Sequence, residues 1–352
     1  MDLISIIINV YNGEKFIDKC LDCVMNQTYK KLEILIVNDG STDNTLSICE
    51  KYKEKDKRIR IITTKNLKLA LSRNKGIDNA KGKFLYFIDV DDYMELDTIE
   101  YLYNLHKEYD SDITECENLR VYDYNTKAKN EVEIIREMSS LDIVKELLLH
   151  VNNYSPIWKK LINRKLFDNI RFADRPVNDM TVVYKLYFEA DKIVYSNQIK
   201  YYYFQNNLSL VANTNLAKIM DIYKAVLERY DYIEKLYPGL IENKVGVLMT
   251  FFIIYYRYYK FASDFYKQVN LKKTYNDYFD FRIFKCKMRF NDKIKMLLFR
   301  INPTLSVFVT RLYVILNCHD YKRKVIEWKK IDFVVLWVDG NDKEWQEKKE
   351  NV

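Results

Sequence analysis

With 352 residues, the chain has room for one large domain or two smaller ones, and 48% apolar with 30% charged residues excludes a disordered polymer. A net charge of +7 is modest and forms no dense basic stripe, which excludes a nucleic-acid binder. The six cysteines are scattered: Cys20 and Cys23 form a C-x-x-C with no second pair, so they read as buried helix cysteines, not as a zinc site or disulfide framework. None of the three histidines stands in a metal-ligand spacing. No apolar run reaches the ~20 residues of a membrane span, the longest being Val245 to Tyr256. The N-terminus runs straight into a strand without a signal peptide, so a cytoplasmic location is expected.

In chain order, Leu3 to Val10 is a continuous apolar strand. Glu14 to Asn26 is predicted helical, with Phe16, Ile17, Cys20, Leu21 and Val24 on one face. A strand at Leu32–Val37, a helix opening near Asp43, a strand at Ile59–Thr63, a helix from Ala70 to Ala80 and a strand at Phe84–Ile88 follow. Such alternation predicts a parallel sheet covered on both faces. A helix at Asp97–Tyr109 leads to a less regular part: a strand near Ile113–Tyr122, a polar loop, a helix from Leu141 to His150, and a helix from Asn178 to Ala190. Short strands at Lys192–Ser196 and Ile199–Phe204 come next, and after Asn213 the chain is expected to be helical up to Trp328. Between Lys293 and Ile301, and again from Leu305 to Leu316, basic and apolar residues mix at helical spacing. Two readings stand for these segments: helices packed on the body with lysines in water, or an anchor on an anionic membrane face.

Four carboxylates follow two of the buried strands: Asp39 after the first, and Asp89, Asp91 and Asp92 after the second. Open α/β sheets place ligands at the carboxyl ends of their strands. Clustered carboxylates there repel one another unless a cation or polar ligand joins them, so they form a candidate divalent-metal site. The turn after the first strand, Val10-Tyr11-Asn12-Gly13-Glu14, lacks the glycine-rich dinucleotide fingerprint, and no P-loop occurs. Side chains therefore have to bind the ligand.

These stretches resemble the family 2 glycosyltransferases, inverting nucleotide-sugar enzymes with a GT-A fold. The resemblance is carried by Ser5 to Gly13, Gln27 to Tyr29, Ile36 to Asp43, Ser72 to Gly76, and Ala80 to Phe84 leading into Phe87 to Asp92. It extends over about residues 1–210 and implies a GT-A, Rossmann-like, mostly parallel sheet with helices on both faces, followed by a C-terminal helical region. The implied division is a nucleotide-sugar half at 1–112, an acceptor half at 113–212, a helical region at 213–330 and a tail at 331–352. By the same resemblance, Val10, Asn12, Asp39, Arg73 and Asp89 bind the donor nucleotide, and Asp91 ligates Mg²⁺ or Mn²⁺ at the diphosphate. Asp43 reads as a helix N-cap. Asp92 has two readings, an acceptor-side group or a cap for the next helix.

Inversion by a single displacement needs a base for the acceptor hydroxyl. The family carries it in a Glu-Asp pair opening a helix, and Asn178-Asp179 is the match here, so Asp179 is the candidate base and Asn replaces the expected Glu. Ile157 to Leu161 resembles the acceptor-lining element, which makes Trp158 and Lys160, with Asn178, acceptor candidates. The Q-x-x-R-W signature of processive members is missing, implying one sugar per encounter. Ile331 to Trp345 resembles the first block of the Stealth family of capsular-polysaccharide phosphotransferases, with no activity assigned to it.

The expected function is a metal-dependent transfer of a sugar from a nucleoside-diphosphate donor, a UDP-sugar, to a glycan or lipid-linked acceptor in cell-surface polysaccharide synthesis. Peripheral contact with the inner membrane face belongs to this reading. The rivals are a nucleotidyl- or phosphotransferase, and a non-catalytic sugar-binding or scaffold module of a capsule assembly complex.

Overall fold

The computed structural model describes residues 1–129, 132–150, 155–175, 179–205, 215–257, 265–266 and 268–317. The described parts of Met1–Val144 and Ser155–Asn207 form one compact unit, and those of Lys145–Tyr154 and Leu208–Val352 form a second. The first unit therefore takes in the expected donor half and most, not all, of the expected acceptor half around one sheet.

Apolar runs make its first strands. β1 (Ile4–Val10), β2 (Leu32–Asn38), β3 (Ile59–Thr63) and β4 (Phe84–Asp89) are parallel in the order β3-β2-β1-β4. Between them run α1 (Ile17–Met25), α2 (Thr45–Lys55) and α3 (Lys68–Asn79). Successive strand side chains alternate faces. On β1, Ile4, Ile6 and Ile8 join a core with Ile17, Cys20 and Leu21 of α1, whereas Ile7 meets α3. There Gly76 has no room for a side chain, since a Cβ would lie 2.6 Å from Ile7 Cγ2. Helices thus cover both faces, as expected from the alternating pattern. Cys20 and Cys23 are buried free thiols inside α1.

Register sets the level at which the strands end. Val10 of β1 is opposite Asn38 of β2, and Asn9 is opposite Asp89 of β4. The residues following these strands consequently emerge along one rim.

The sheet continues less regularly. α4 (Thr98–Tyr109) follows the two-residue strand β5 (Tyr93–Met94), and β6 (Ile113–Val121), β7 (Ile135–Met138), α5 (Ser140–Leu148) as far as Val144, β8 (Lys160–Asn163), α6 (Asp179–Glu189) and β9 (Ile193–Phe204) complete the unit. β8 runs antiparallel between β4 and β6, and β9 lies parallel to β6. β5 and β7 pair antiparallel with β9. β9 is one strand where two were expected, because it carries the irregularity as bulges: Tyr195 to Ile199 faces Glu115 to Glu117 of β6, and Ile199 to Tyr201 faces Glu117 to Asn118.

The second unit is helical: α7 (Leu216–Leu236), α8 (Ile241–Arg257), α9 (Leu271–Tyr278), α10 (Phe290–Ile301) and α11 (Pro303–Asn317). Its core includes Phe251, Phe252, Tyr275 and Phe299. Among the described residues no helix is long and apolar enough to cross a membrane.

Candidate active site

The rim begins where β1 and β2 end. The Asp39 amide donates to Val10 O at 2.8 Å, so buried Val10 contributes its backbone. Asn12 adopts a left-handed φ of 51°, a conformation Asn tolerates better than most residues. Its amide donates to Ser41 Oγ at 3.0 Å, and its Oδ1 accepts from the Thr42 amide at 2.8 Å. Asn12 thereby clasps the loop that carries Asp39. Gly40 has φ +77°, and a Cβ there would lie 3.0 Å from Thr64 O. Asp39 is buried; its Oδ1 accepts from Thr64 Oγ1 at 2.5 Å and from the Leu67 amide at 2.7 Å. The N-cap of α2 is Asn44, not the expected Asp43, which stands one residue earlier with its Oδ1 accepting from the Thr45 amide at 3.0 Å and its Oδ2 from the Glu14 amide at 3.2 Å. Against partial desolvation, these bonds hold its carboxyl below the usual range.

At the centre of the rim, one guanidinium joins carboxylates that are far apart in sequence. Arg73, buried on α3, donates from Nη2 to Asp89 Oδ1 at 3.0 Å and from Nη1 to Asp179 Oδ1. Asp179 is the first residue of α6, and its Oδ2 accepts from the Ile157 amide at 3.1 Å. The guanidinium lies 5.4 Å from the Phe172 ring centroid. Phe172 is held in turn by Asn74, whose Nδ2 donates to Phe172 O at 2.8 Å while its Oδ1 accepts from the Phe172 amide at 2.9 Å. Sequence reasoning missed Asn74 and Phe172; the position of Asn74 beside Arg73 was the available signal. The Asp89 and Asp179 side chains remain 34% and 23% exposed, so solvent reaches both. Desolvation pushes the Asp89 carboxyl up; Arg73 opposes this and Asp179 adds to it. For Arg73, its two carboxylate partners outweigh burial and keep it charged.

The remaining two acids diverge. Asp92 turns inward: it is buried, with Oδ2 accepting from Tyr201 Oη at 2.6 Å and Oδ1 from the Phe204 amide at 2.8 Å. Burial, and then the charges of Asp91 and Asp89, push its carboxyl well above the usual range. Asp92 fastens the turn after β4 to β9, with both carboxyl oxygens engaged inside the fold. Asp91 is half-buried, and its carbonyl accepts from Tyr124 Oη at 3.1 Å. Among the described residues no three His, Cys, Asp or Glu side chains gather as a metal cage. The gathering of four carboxylates expected from the sequence is thus corrected: Asp39 closes its own loop and Asp92 is internal, which leaves Asp89 and Asp91. Two carboxylates suit a hard cation such as Mg²⁺ or Mn²⁺, which takes its other oxygens from water and substrate phosphates.

The acceptor candidates are interior as well. Trp158 is buried, stacked on Tyr201 with ring centroids 4.6 Å apart and on Tyr203 at 5.4 Å. Lys160 is buried, with Nζ 3.1 Å from Glu115 Oε1 and donating to Pro156 O at 2.6 Å. Burial, aided by Lys159 and opposed by Glu115, pushes its ammonium down to about 8. Asn178 lies outside the described residues.

This rim, with side-chain ligands at the ends of parallel strands and no phosphate loop, agrees with what the chain is similar to. The family described as Glycosyl transferase family 2 matches residues 5–176. Glycosyltransferase GlyG of Streptococcus pneumoniae serotype 4 is 30% identical over 226 residues, covering 60% of this chain and 73% of GlyG. The chain belongs to glycosyltransferase family 2. It is accordingly a glycosyltransferase. Cholesterol galactosyltransferase of Borreliella burgdorferi is 29% identical over 273 residues, covering 74% of this chain and 75% of that protein. Glycosyltransferase GlyA of S. pneumoniae is 34% identical over 216 residues, but the match spans only 30% of GlyA. Among solved structures, S. aureus TarS 1-349 in complex with UDP-GlcNAc has a TM-score of 0.54 at 20% identity, covering 71% of this chain and 80% of TarS 1-349. That likeness identifies the fold as GT-A. Residues 329–352 match Stealth protein CR1, conserved region 1, and lie outside the described residues.

Proposed function

We propose that this family 2 glycosyltransferase moves a sugar from a UDP-sugar to an acceptor hydroxyl by one inverting displacement. The single observation that supports this reading is the fastening of Asp89 and Asp179 to one Arg73 guanidinium, which sets a donor-side acid beside a candidate base. Asp179 receives the acceptor proton as the hydroxyl oxygen bonds to the anomeric carbon and the bond from that carbon to the diphosphate oxygen breaks. Such a base contributes ~10²–10⁴-fold. Arg73 fixes the direction of that carboxylate, and the Ile157 amide holds its second oxygen. Asp39, rigid in its loop, meets the nucleoside, with Asn12 and Val10 shaping the loop. Asp91, with Asp89 beside it, would hold Mg²⁺ or Mn²⁺, which supplies positive charge against the diphosphate when bound.

The related cholesterol galactosyltransferase acts, by its name, on a lipid, and the tail that matches Stealth protein CR1 resembles, as the sequence suggests, the capsular-polysaccharide phosphotransferases. Both support a lipid-linked or glycan acceptor in cell-surface polysaccharide synthesis, extended by one sugar per encounter at the inner membrane face. TarS bound to UDP-GlcNAc supports a UDP-sugar donor, and a Pyrobaculum calidifontis mannosyltransferase bound to GDP-Man and Mn²⁺ supports the cation.

A panel of nucleotide sugars with Mn²⁺ or Mg²⁺, scored by melting temperature and by release of nucleoside diphosphate, tests the reading. One donor is expected to raise the melting temperature and to be hydrolysed slowly. A melting temperature indifferent to every nucleotide, with no diphosphate released, sinks the proposal.

A further inference from the structure

In the helical unit, α10 is apolar on two sides but packed on only one. Met296 and Phe299 are buried: Met296 O accepts from Tyr275 Oη at 3.0 Å, and the Phe299 ring lies 4.8 Å from Tyr275 and 5.4 Å from Tyr255. On the other side Phe290, Ile294, Leu297 and Ile301, spaced four, three and four residues apart, form one exposed stripe. Phe290 is 74% and Ile301 65% exposed. α11 repeats the arrangement. Its Ser306 donates to Lys295 O at 2.9 Å and Val307 is buried, seating it on α10, while Leu305, Phe308 and Val309 face water, Phe308 at 61%. Large apolar side chains gathered in this way on a surface mark an interaction site, because water solvates them poorly.

Charge selects the occupant. Between residues 281 and 309 seven basic side chains stand against one acid, Asp292, so this segment holds most of the chain's formal excess of +7. Lys285, Lys287 and Arg289 lead into the stripe and are exposed. We propose that the stripes of α10 and α11 seat the protein on an anionic lipid bilayer, rings and aliphatic groups at the acyl boundary and ammonium and guanidinium groups among the headgroups. At 12 and 15 residues the helices are too short to span and lie in the interface. A second copy on the same face would bring like charges together, which disfavours self-pairing. The surface deepens, and rests on, the reading of a lipid-linked acceptor, since it would hold the enzyme where such an acceptor is presented.

Sedimentation of the 352-residue chain with phosphatidylcholine vesicles, and with vesicles in which phosphatidylglycerol replaces a third of the lipid, tests this. Binding is expected on the anionic vesicles, weakened by salt. The Phe290→Ser/Ile301→Ser/Phe308→Ser variant should cut it about tenfold or more, with the melting curve unchanged. If that variant folds poorly, Lys285→Glu/Lys287→Glu should weaken binding to anionic vesicles in its place. The proposal is overturned by any of four results. The first is absence of binding, and the second is binding by the serine variant equal to the parent. The third is a dimer in ultracentrifugation that the variant abolishes. The fourth is binding that emerges only after removal of residues 318–352. Release of nucleoside diphosphate in solution is measured alongside: its loss with vesicle binding kept counts against the transfer reading, and the reverse counts against this surface.

Discussion

Arg73 meets two carboxylates whose outer edges stay in solvent, whereas in the same unit Lys159 and Lys160 are sealed against Glu115. In that second group Glu115 Oε1 lies 3.0 Å from Lys159 Nζ and 3.1 Å from Lys160 Nζ, and its Oε2 accepts from Tyr187 Oη at 2.7 Å. Glu117 completes it, 3.0 Å from Lys159 Nζ and accepting from Tyr195 Oη at 3.0 Å. The interior network is balanced, two cations against two anions, and a buried balance of that kind serves the fold. At the rim, the two carboxylates that meet Arg73 are open to solvent, and exposed carboxylates attract a cation or the proton of an acceptor hydroxyl. Access to solvent, more than the presence of buried charge as such, separates the proposed working group from the interior one.

The sharpest break in this comparison is Asp179→Asn. The proposed base would lose turnover by ~10²–10⁴-fold while keeping its shape and most of its stability. Steady-state kinetics check this, and a variant changed in KM alone would return Asp179 to a helix-capping role. Glu115→Gln should do the opposite. It leaves two buried ammonium groups with one carboxylate, that of Glu117 on Lys159, and costs roughly 3–5 kcal/mol, read from the urea midpoint, while turnover per folded molecule is kept.

A smaller effect follows from the Lys160 ammonium, pushed down to about 8 from 10.5. Between those pH values the folded chain binds fewer protons at this site than the unfolded chain, so the site's contribution to stability rises with pH across the window. Lys160→Met should remove that rise, measured as the difference between the two denaturation profiles. Least of all should the free chain notice Asp91→Asn, within ~1 kcal/mol. That variant should instead lose the cation-dependent part of any nucleotide-induced rise in melting temperature, and a rise that persists in full would remove Asp91 from cation binding.

The first strands were legible because β1, β2 and β4, buried on both faces, read as unbroken apolar runs. β8 was not legible. It is four residues long and opens with Lys160, whose charge is tolerated only because Glu115 on the neighbouring strand meets it. Nor was β5, two residues whose pairing partners Tyr201 and Tyr202 lie more than a hundred positions later.

Sequence alone determined the family, the alternation that builds a parallel sheet, and the appearance of acids at the ends of its strands. Which of those acids face solvent was decided only by tertiary structure. Asp89 and Asp92 share one short turn, yet the first stays at the rim beside Arg73 and the second is drawn inside by Tyr201 and Phe204. Their side chains are chemically identical, and a carboxylate takes the orientation in which donors satisfy it. Those donors come from α3 and β9, so the outcome rests on contacts between distant parts of the chain that no local pattern encodes.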